Sequence, residues 1–267
     1  MRSELISVPG DPARPDEDYA SVGLPASGQG GSIVVLDGVT PPATDHGCLH
    51  SVPWFTARLG GALGELSVSR RDLTLTEVLA LAITRTADAH RATCDLSHPR
   101  TPQATVALAR WSPQTVEYLV LCDSVLLVGS PSGTVVPVLD DRLSRVPRAA
   151  LTSHAVTDAA LRNQEGGFFT AAADPSVAAR AVTGALPRSG VRTLTALTDG
   201  AARWVEKFGE GTWEDLVALL HKEGAESLIT RVRTLELTAA ARRTPGSPGP
   251  LGSAKTHDDA TVVHVVL

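Results

Sequence analysis

Acidic residues stand where apolar segments of this chain begin or end. Glu17 and Asp18 lie in "PDEDYA", Asp37 in "VVLDG", Asp199 in "ALTDG", and Asp258 with Asp259 in "HDDATVV". Strand ends of one sheet lie side by side, so carboxylates far apart in sequence can converge in space. Hard divalent cations such as Mg²⁺ and Mn²⁺ take oxygen ligands and keep several waters, which suits a sparse carboxylate cluster. Two such ions about 3.5–4 Å apart activate a bridging water and stabilise in-line attack on phosphorus, with no protein nucleophile required. Taken singly, each Asp reads more readily as a turn or cap residue, because Asp-Gly after a strand is a common turn signal. The recurrence at four boundaries favours the set over the single turns.

The elements that must position these acids can be read from the hydropathy pattern. Residues 32–36 form a short apolar run that reads as a buried strand after a loop rich in proline and glycine. Two amphipathic helices follow, "LHSVPWFTARLGGALGEL" and "TLTEVLALAITRTADAHRATCD". The second places Val78, Leu79, Ala82, Ile83 and Thr86 on one face, with Thr74 as N-cap ahead of Glu77. From Thr101 the segments "ATVALARW", "TVEYLVLCDS", "VLLVGS" and "TVVPVL" read as a meander of antiparallel strands. An irregular excursion holds "RNQEGGFF", with Gly166 and Gly167 as its turn and Phe168 and Phe169 as core anchors. "DPSVAARAVTGALP" reads as a short helix capped by Asp174 with Pro175 in its first turn. A second buried strand, "TLTALTDG", precedes helices from "AARWVEKFG" and "TWEDLVALLHKEGAESLITRVRTLEL", and after a loop over 244–253 the acidic turn feeds a last strand.

Composition bounds the partners. A 267-residue chain with 43% hydrophobic and 20% charged residues has the balance of a soluble globular protein, and no long linker divides it, so one domain over 1–267 is expected. A net charge of −5 argues against a general nucleic-acid binder. Apolar runs fall short of the ~20 residues of a membrane span, and the N-terminus lacks the apolar core of a secretory signal, so a cytoplasmic protein without a membrane partner is expected. The three cysteines, Cys48, Cys94 and Cys122, are too few and scattered for a disulfide framework and fit a reducing compartment. Arginine and alanine are abundant and lysine scarce, which hints at a GC-rich bacterial source.

In their order, "DEDYA", "VVLDG", "TPQATVALARW" leading to "VEYLVLCDSVLLV", "LTALTDG" and "DDATVVHVVL" resemble the metal-dependent protein phosphatases of the type 2C class over nearly the whole chain. The resemblance implies an α+β fold, a four-layer α-β-β-α sandwich of two antiparallel sheets flanked by helices. It also implies a centre of two Mn²⁺ or Mg²⁺ ions, with a third, weaker one in many members. Carried over, Asp37 would bridge the two ions and Gly38 would offer its carbonyl, while Asp199 and Asp258 would hold the second ion. Glu17 or Asp18 would reach a metal directly or through water, and Asp123 in "CDS" would serve the third. The implied reaction is hydrolysis of phosphoserine or phosphothreonine on a phosphorylated protein by metal-activated water, in a pathway opposing serine/threonine kinases. For Asp123 the alternative is a buried acid satisfied by backbone N–H groups.

The chain also departs from the family pattern. Asp37-Gly38 continues into Val39, Thr40, Pro41 and Pro42, so the family's loop histidine is missing from its place. His46 and His50 in "DHGCLH" are substitutes for the general acid, and His46, Cys48 and His50 also suggest a soft-metal site lacking an evident fourth ligand. Arg14 is the candidate phosphate contact, although Pro15 separates it from the acidic pair. Asp259 stands where the family commonly has asparagine, and His257 reads as a solvated loop residue. Two other readings stay open: a catalytically weak or inactive phosphatase-like binding protein, and a phosphatase of small metabolites.

Overall fold

The computed structural model describes residues 1–41, 46–147, 150–151, 157, 160–242 and 256–267. Its strands form two antiparallel five-stranded sheets. One has the order β2 (Tyr19–Gly23), β3 (Gly31–Gly38), β4 (Ala104–Trp111), β5 (Thr115–Leu121) and β8 (Val182–Pro187). The other has the order β1 (Arg2–Val8), β10 (Ala260–Val266), β9 (Thr193–Leu197), β6 (Val125–Gly129) and β7 (Val135–Val138).

Helices α1 (Val52–Ser69) and α2 (Leu75–Asp88) cover the β2–β8 sheet. Short α3 (Arg142–Arg145) follows β7, and α4 (Asp199–Glu206), α5 (Trp213–Glu223) and α6 (Ala225–Ala241) cover the other sheet. The layers explain why β3 and β4 read as continuous apolar runs rather than alternating ones. Val34 and Leu36 face α1 and α2, whereas Ile33 and Val35 pack between the sheets against Leu126, Leu194 and Val263. Both faces are covered, so both sets of side chains must be apolar. The four-layer sandwich expected from the resemblance is the observed one.

Local signals mostly held. Thr74 and Glu77 form a reciprocal capping box, and Val78, Leu79, Ala82, Ile83 and Thr86 are all buried. Gly166 has φ +80°, and Phe168 and Phe169 are buried. Trp204 packs in the core under α5 and α6.

Three expectations are corrected. The meander is two hairpins in different sheets: β4 pairs β5 and β6 pairs β7, while the chain crosses between sheets at Cys122–Ser124, where Cys122 takes φ +67°. "DPSVAARAVTGALP" supplies one 3₁₀ turn, Pro175–Arg180, capped by Asp174, and then becomes edge strand β8 paired to β5. The N-terminal segment contributes β1 and β2; β1 is an edge strand of mixed exposure, so no apolar run marks it. Parts of the irregular excursion before Phe168, together with the 244–253 loop and Pro42, lie outside the described residues.

Candidate metal centre and cleft

Register brings the acids to one end of the sandwich. Tyr19 pairs with Leu36, so Asp18 enters β2 beside the end of β3, where Asp37 lies opposite Thr105. In the other sheet Leu197 pairs with both Val262 and Val125, which sets Asp199, Asp258 and the Asp123 crossing at the same end. Neither Asp-Gly pair is a turn: Asp37-Gly38 closes β3, and Asp199-Gly200 opens α4 after Thr198. The glycines are demanded by close approach. A Cβ on Gly38 would lie 2.4 Å from the Glu17 carbonyl oxygen and from Val52 Cγ1, and one on Gly200 would lie 2.0 Å from the Asp259 carbonyl oxygen.

The carboxyls interact strongly. Burial pushes Asp37 well above the usual carboxylate range, and Asp199, Asp18, Asp123 and Asp258 push it further. Burial, then Asp258 and Asp123, raises Asp199 to about 7, against the pull of Arg203 and a hydrogen bond shared with Asp37. Asp18 is raised by burial and by Asp16 and Asp259, although it accepts from Thr261 Oγ1 at 2.7 Å and Thr198 Oγ1 at 3.0 Å. Burial also raises Asp123, with its own backbone amide and Cys122 opposing. Asp16, Asp18 and Asp259 bring carboxylate oxygens within 4.8 Å of one another. Buried like charges of this number are costly unless protonated or neutralised by a cation. An all-oxygen, anionic donor set fits Mn²⁺ or Mg²⁺.

Neighbouring groups hold the acids in place. Asp259 accepts from the Gly10 and Glu17 amides, both at 2.7 Å, one on each oxygen. Because the two donors approach different oxygens, an asparagine in the same place would turn its amino group toward one of them. Glu17 accepts from Thr40 Oγ1. Arg203, absent from the sequence reading, is buried and joins Asp258 to Glu236 of α6. Glu236 also receives Arg233 at 2.9 Å and His257 Nδ1 at 2.7 Å, so His257 is tied to a buried carboxylate rather than solvated. An arginine one turn into a helix that starts at a candidate ligand was the available signal; its buried partner, 33 residues on, was not legible.

Beside the acids lies a cleft of about 780 Å³ lined by Arg14, Glu17, Thr40, Pro41, His46 and His257 among others. The Nδ1 atom of His46 is shielded and, among the described residues, has no hydrogen-bond partner. His50 is not a lining residue; its Nδ1 lies 3.3 Å from Cys94 Sγ, and its ring stacks on Trp54 with centroids 3.9 Å apart.

This architecture has solved counterparts. Serine/threonine phosphatase Stp1 from Staphylococcus aureus superposes with a TM-score of 0.60 at 14% identity, over 100% of this chain and 95% of that one. The Mycobacterium tuberculosis serine/threonine phosphatase PstP/Ppp gives 0.59 at 14% identity, over 100% and 98%. The chain has the protein phosphatase 2C fold. A further phosphatase-fold structure, the catalytic domain of PstP in complex with two manganese ions, matches at 0.58 and 14% identity over 98% of this chain and 96% of that one. No protein-family model matches the chain, and no curated protein matches it in sequence.

Proposed function

We propose that this chain is a single-domain, Mn²⁺- or Mg²⁺-dependent protein phosphatase that hydrolyses phosphoserine and phosphothreonine monoesters in a bacterial cytoplasm, opposing serine/threonine kinases. The observation that carries the reading is the convergence of Asp18, Asp37, Asp123, Asp199 and Asp258 at one end of a sandwich whose fold is shared with a phosphatase catalytic domain solved in complex with two manganese ions. Asp37, the Gly38 carbonyl, Asp199 and Asp258 would hold two cations, with Asp18 rather than Glu17 closing the set and Asp123 serving a third. Bound there, the cations would supply an activated water and neutralise phosphoryl charge. Arg14 on the cleft wall would hold a phosphate oxygen, and His46, in place of the missing loop histidine, would protonate the leaving oxygen. His50, engaged by sulfur, is not assigned that role. Among the described residues no helix is long and apolar enough to cross a membrane.

The test is turnover of p-nitrophenyl phosphate and a phosphothreonine peptide with and without Mn²⁺, comparing wild type with Asp37→Asn and Asp199→Asn. Metal-dependent turnover in wild type, lost by at least 100-fold in either variant, is expected for removal of a ligand to a catalytic metal. Absence of turnover in wild type would leave the binding-protein reading, and turnover indifferent to both substitutions would refute the site. Faster turnover of small phosphate esters than of phosphopeptides would replace the protein substrate with a metabolite.

A further inference from the structure

About the entry to α1 and the exit of α2, four soft-metal donors from two distant segments face one another. Cys48 and His50 precede Ser51, the N-cap of α1, while His90 and Cys94 follow Ala89, the C-cap of α2. Cys48 Sγ lies 3.7 Å from His50 Nδ1, 3.5 Å from His90 Nδ1 and 3.1 Å from Cys94 Sγ, and His50 Nδ1 lies 3.3 Å from Cys94 Sγ. All four donor atoms fall within 4.8 Å of one another. We propose that Cys48, His50, His90 and Cys94 form a structural zinc site, separate from the carboxylate centre.

The distances carry the assignment. Zinc with bonds of about 2.3 Å to sulfur and about 2.0–2.1 Å to nitrogen has tetrahedral edges of about 3.6 Å between sulfur and nitrogen and about 3.8 Å between sulfurs. Three of the four sulfur–nitrogen separations, 3.3–3.7 Å, bracket the first value, and the fourth pair stays within the 4.8 Å that bounds the whole set. The sulfurs, at 3.1 Å, are closer than the second but far beyond the about 2.05 Å of a disulfide. Cys94 N bonds the His90 carbonyl at 3.1 Å, a helical turn that sets the H-x₃-C pair on one side, and Asp95 N bonds the Gly47 carbonyl at 2.7 Å, which clamps the two segments together. His90 is buried, and Trp54 stacks on His50 and lies 5.2 Å from His90, giving the rings a fixed orientation.

Chemistry agrees with geometry. Binding of Zn²⁺ by two thiols and two neutral imidazoles releases two protons and leaves a neutral centre, so the site needs no neighbouring counter-ion. Two sulfurs and two nitrogens select zinc, whereas the all-oxygen acids select harder ions. His46, near Cys48 and His50 in sequence, lines the cleft instead; the remaining ligands are His90 and Cys94, more than forty residues beyond Cys48. Zinc here would fasten the start of α1 to the end of α2 and fix the segment that carries His46 into the cleft.

The experiment measures zinc in the full chain, expressed with zinc and desalted under reducing conditions into metal-free buffer. About one zinc per chain is expected, retained in Asp37→Asn and lost in Cys48→Ser/Cys94→Ser. In wild type, titration with a mercurial thiol reagent should release that zinc to a colorimetric chelator, a readout that does not depend on the variant folding. Cobalt-grown protein should show a tetrahedral ligand-field band and thiolate-to-cobalt charge transfer. Zinc-free wild type, zinc indifferent to the mercurial reagent, zinc lost with Asp37→Asn, or a Cys48–Cys94 disulfide in the freshly purified chain would each overturn the proposal.

Discussion

Arg203 Nη2 lies 2.6 Å from Asp258 Oδ2, and the same guanidinium bonds Glu236 in the middle of α6. The start of β10 is thereby tied to a helix across the sheet. Removing one partner of a buried ion pair costs about 3–5 kcal/mol, because the other is left uncompensated. Arg203→Met should therefore lower the metal-free unfolding free energy by roughly 3 kcal/mol. Saturating Mn²⁺ should shrink the deficit, since a cation at Asp258 replaces the lost charge. Urea unfolding with and without Mn²⁺ measures both, and a deficit unchanged by Mn²⁺ would detach Asp258 from the metal centre.

Asp199 gives the metal-free protein a distinctive pH dependence. Its carboxyl titrates near 3.8 unfolded and at about 7 folded, so between these values the folded state holds more protons. Stability must then fall as pH rises across that window and level off above it. Asp18, Asp37 and Asp123, also raised by burial, act in the same direction, while His264, buried and held down to about 4, acts in the opposite one between pH 4 and 6.5, so wild type alone mixes several groups. In metal-free protein, the Tm of Asp199→Asn minus that of wild type should grow from pH 5 to pH 8. A flat difference contradicts the assignment.

Asp259→Asn exchanges a two-oxygen acceptor for a side chain with one oxygen and an amino group facing an N–H donor. The expected loss is about 1–3 kcal/mol, the cost of a donor left unsatisfied. Denaturant unfolding checks it; a neutral substitution would show that the Gly10 and Glu17 amides do not depend on this residue.

Gly200→Ala reverses the usual sign of a helix substitution. Alanine in a helix ordinarily gains about 1 kcal/mol over glycine. Here the added methyl would sit 2.0 Å from the Asp259 carbonyl oxygen, so β10 or α4 must move. A lower Tm and weaker Mn²⁺ binding by calorimetry are expected, and a raised Tm would show that the contact relaxes without cost.

Much of this architecture was legible in local pattern. The apolar runs of β3, β4 and β9, the Thr74–Glu77 capping box and the acids at strand ends all depend on neighbours a few residues away, where propensity and periodicity operate. Unlike edge strand β7, edge strands β1 and β8 were not legible: β1 is of mixed exposure, β8 is mostly exposed, and both owe their form to hydrogen bonds with β10 and β5, partners distant in sequence.

The division is sharpest among chemically active residues. By itself the sequence determined which carboxylates stand at strand ends, because a strand and the acid that closes it are contiguous. Tertiary structure alone decided that Arg203 meets Asp258 and Glu236, that Asp259 serves two backbone amides, and that Cys48 and His50 find His90 and Cys94. These contacts join segments whose separation along the chain carries no periodic signal. They exist because sheet register and helix packing bring remote backbone within hydrogen-bonding or coordination distance.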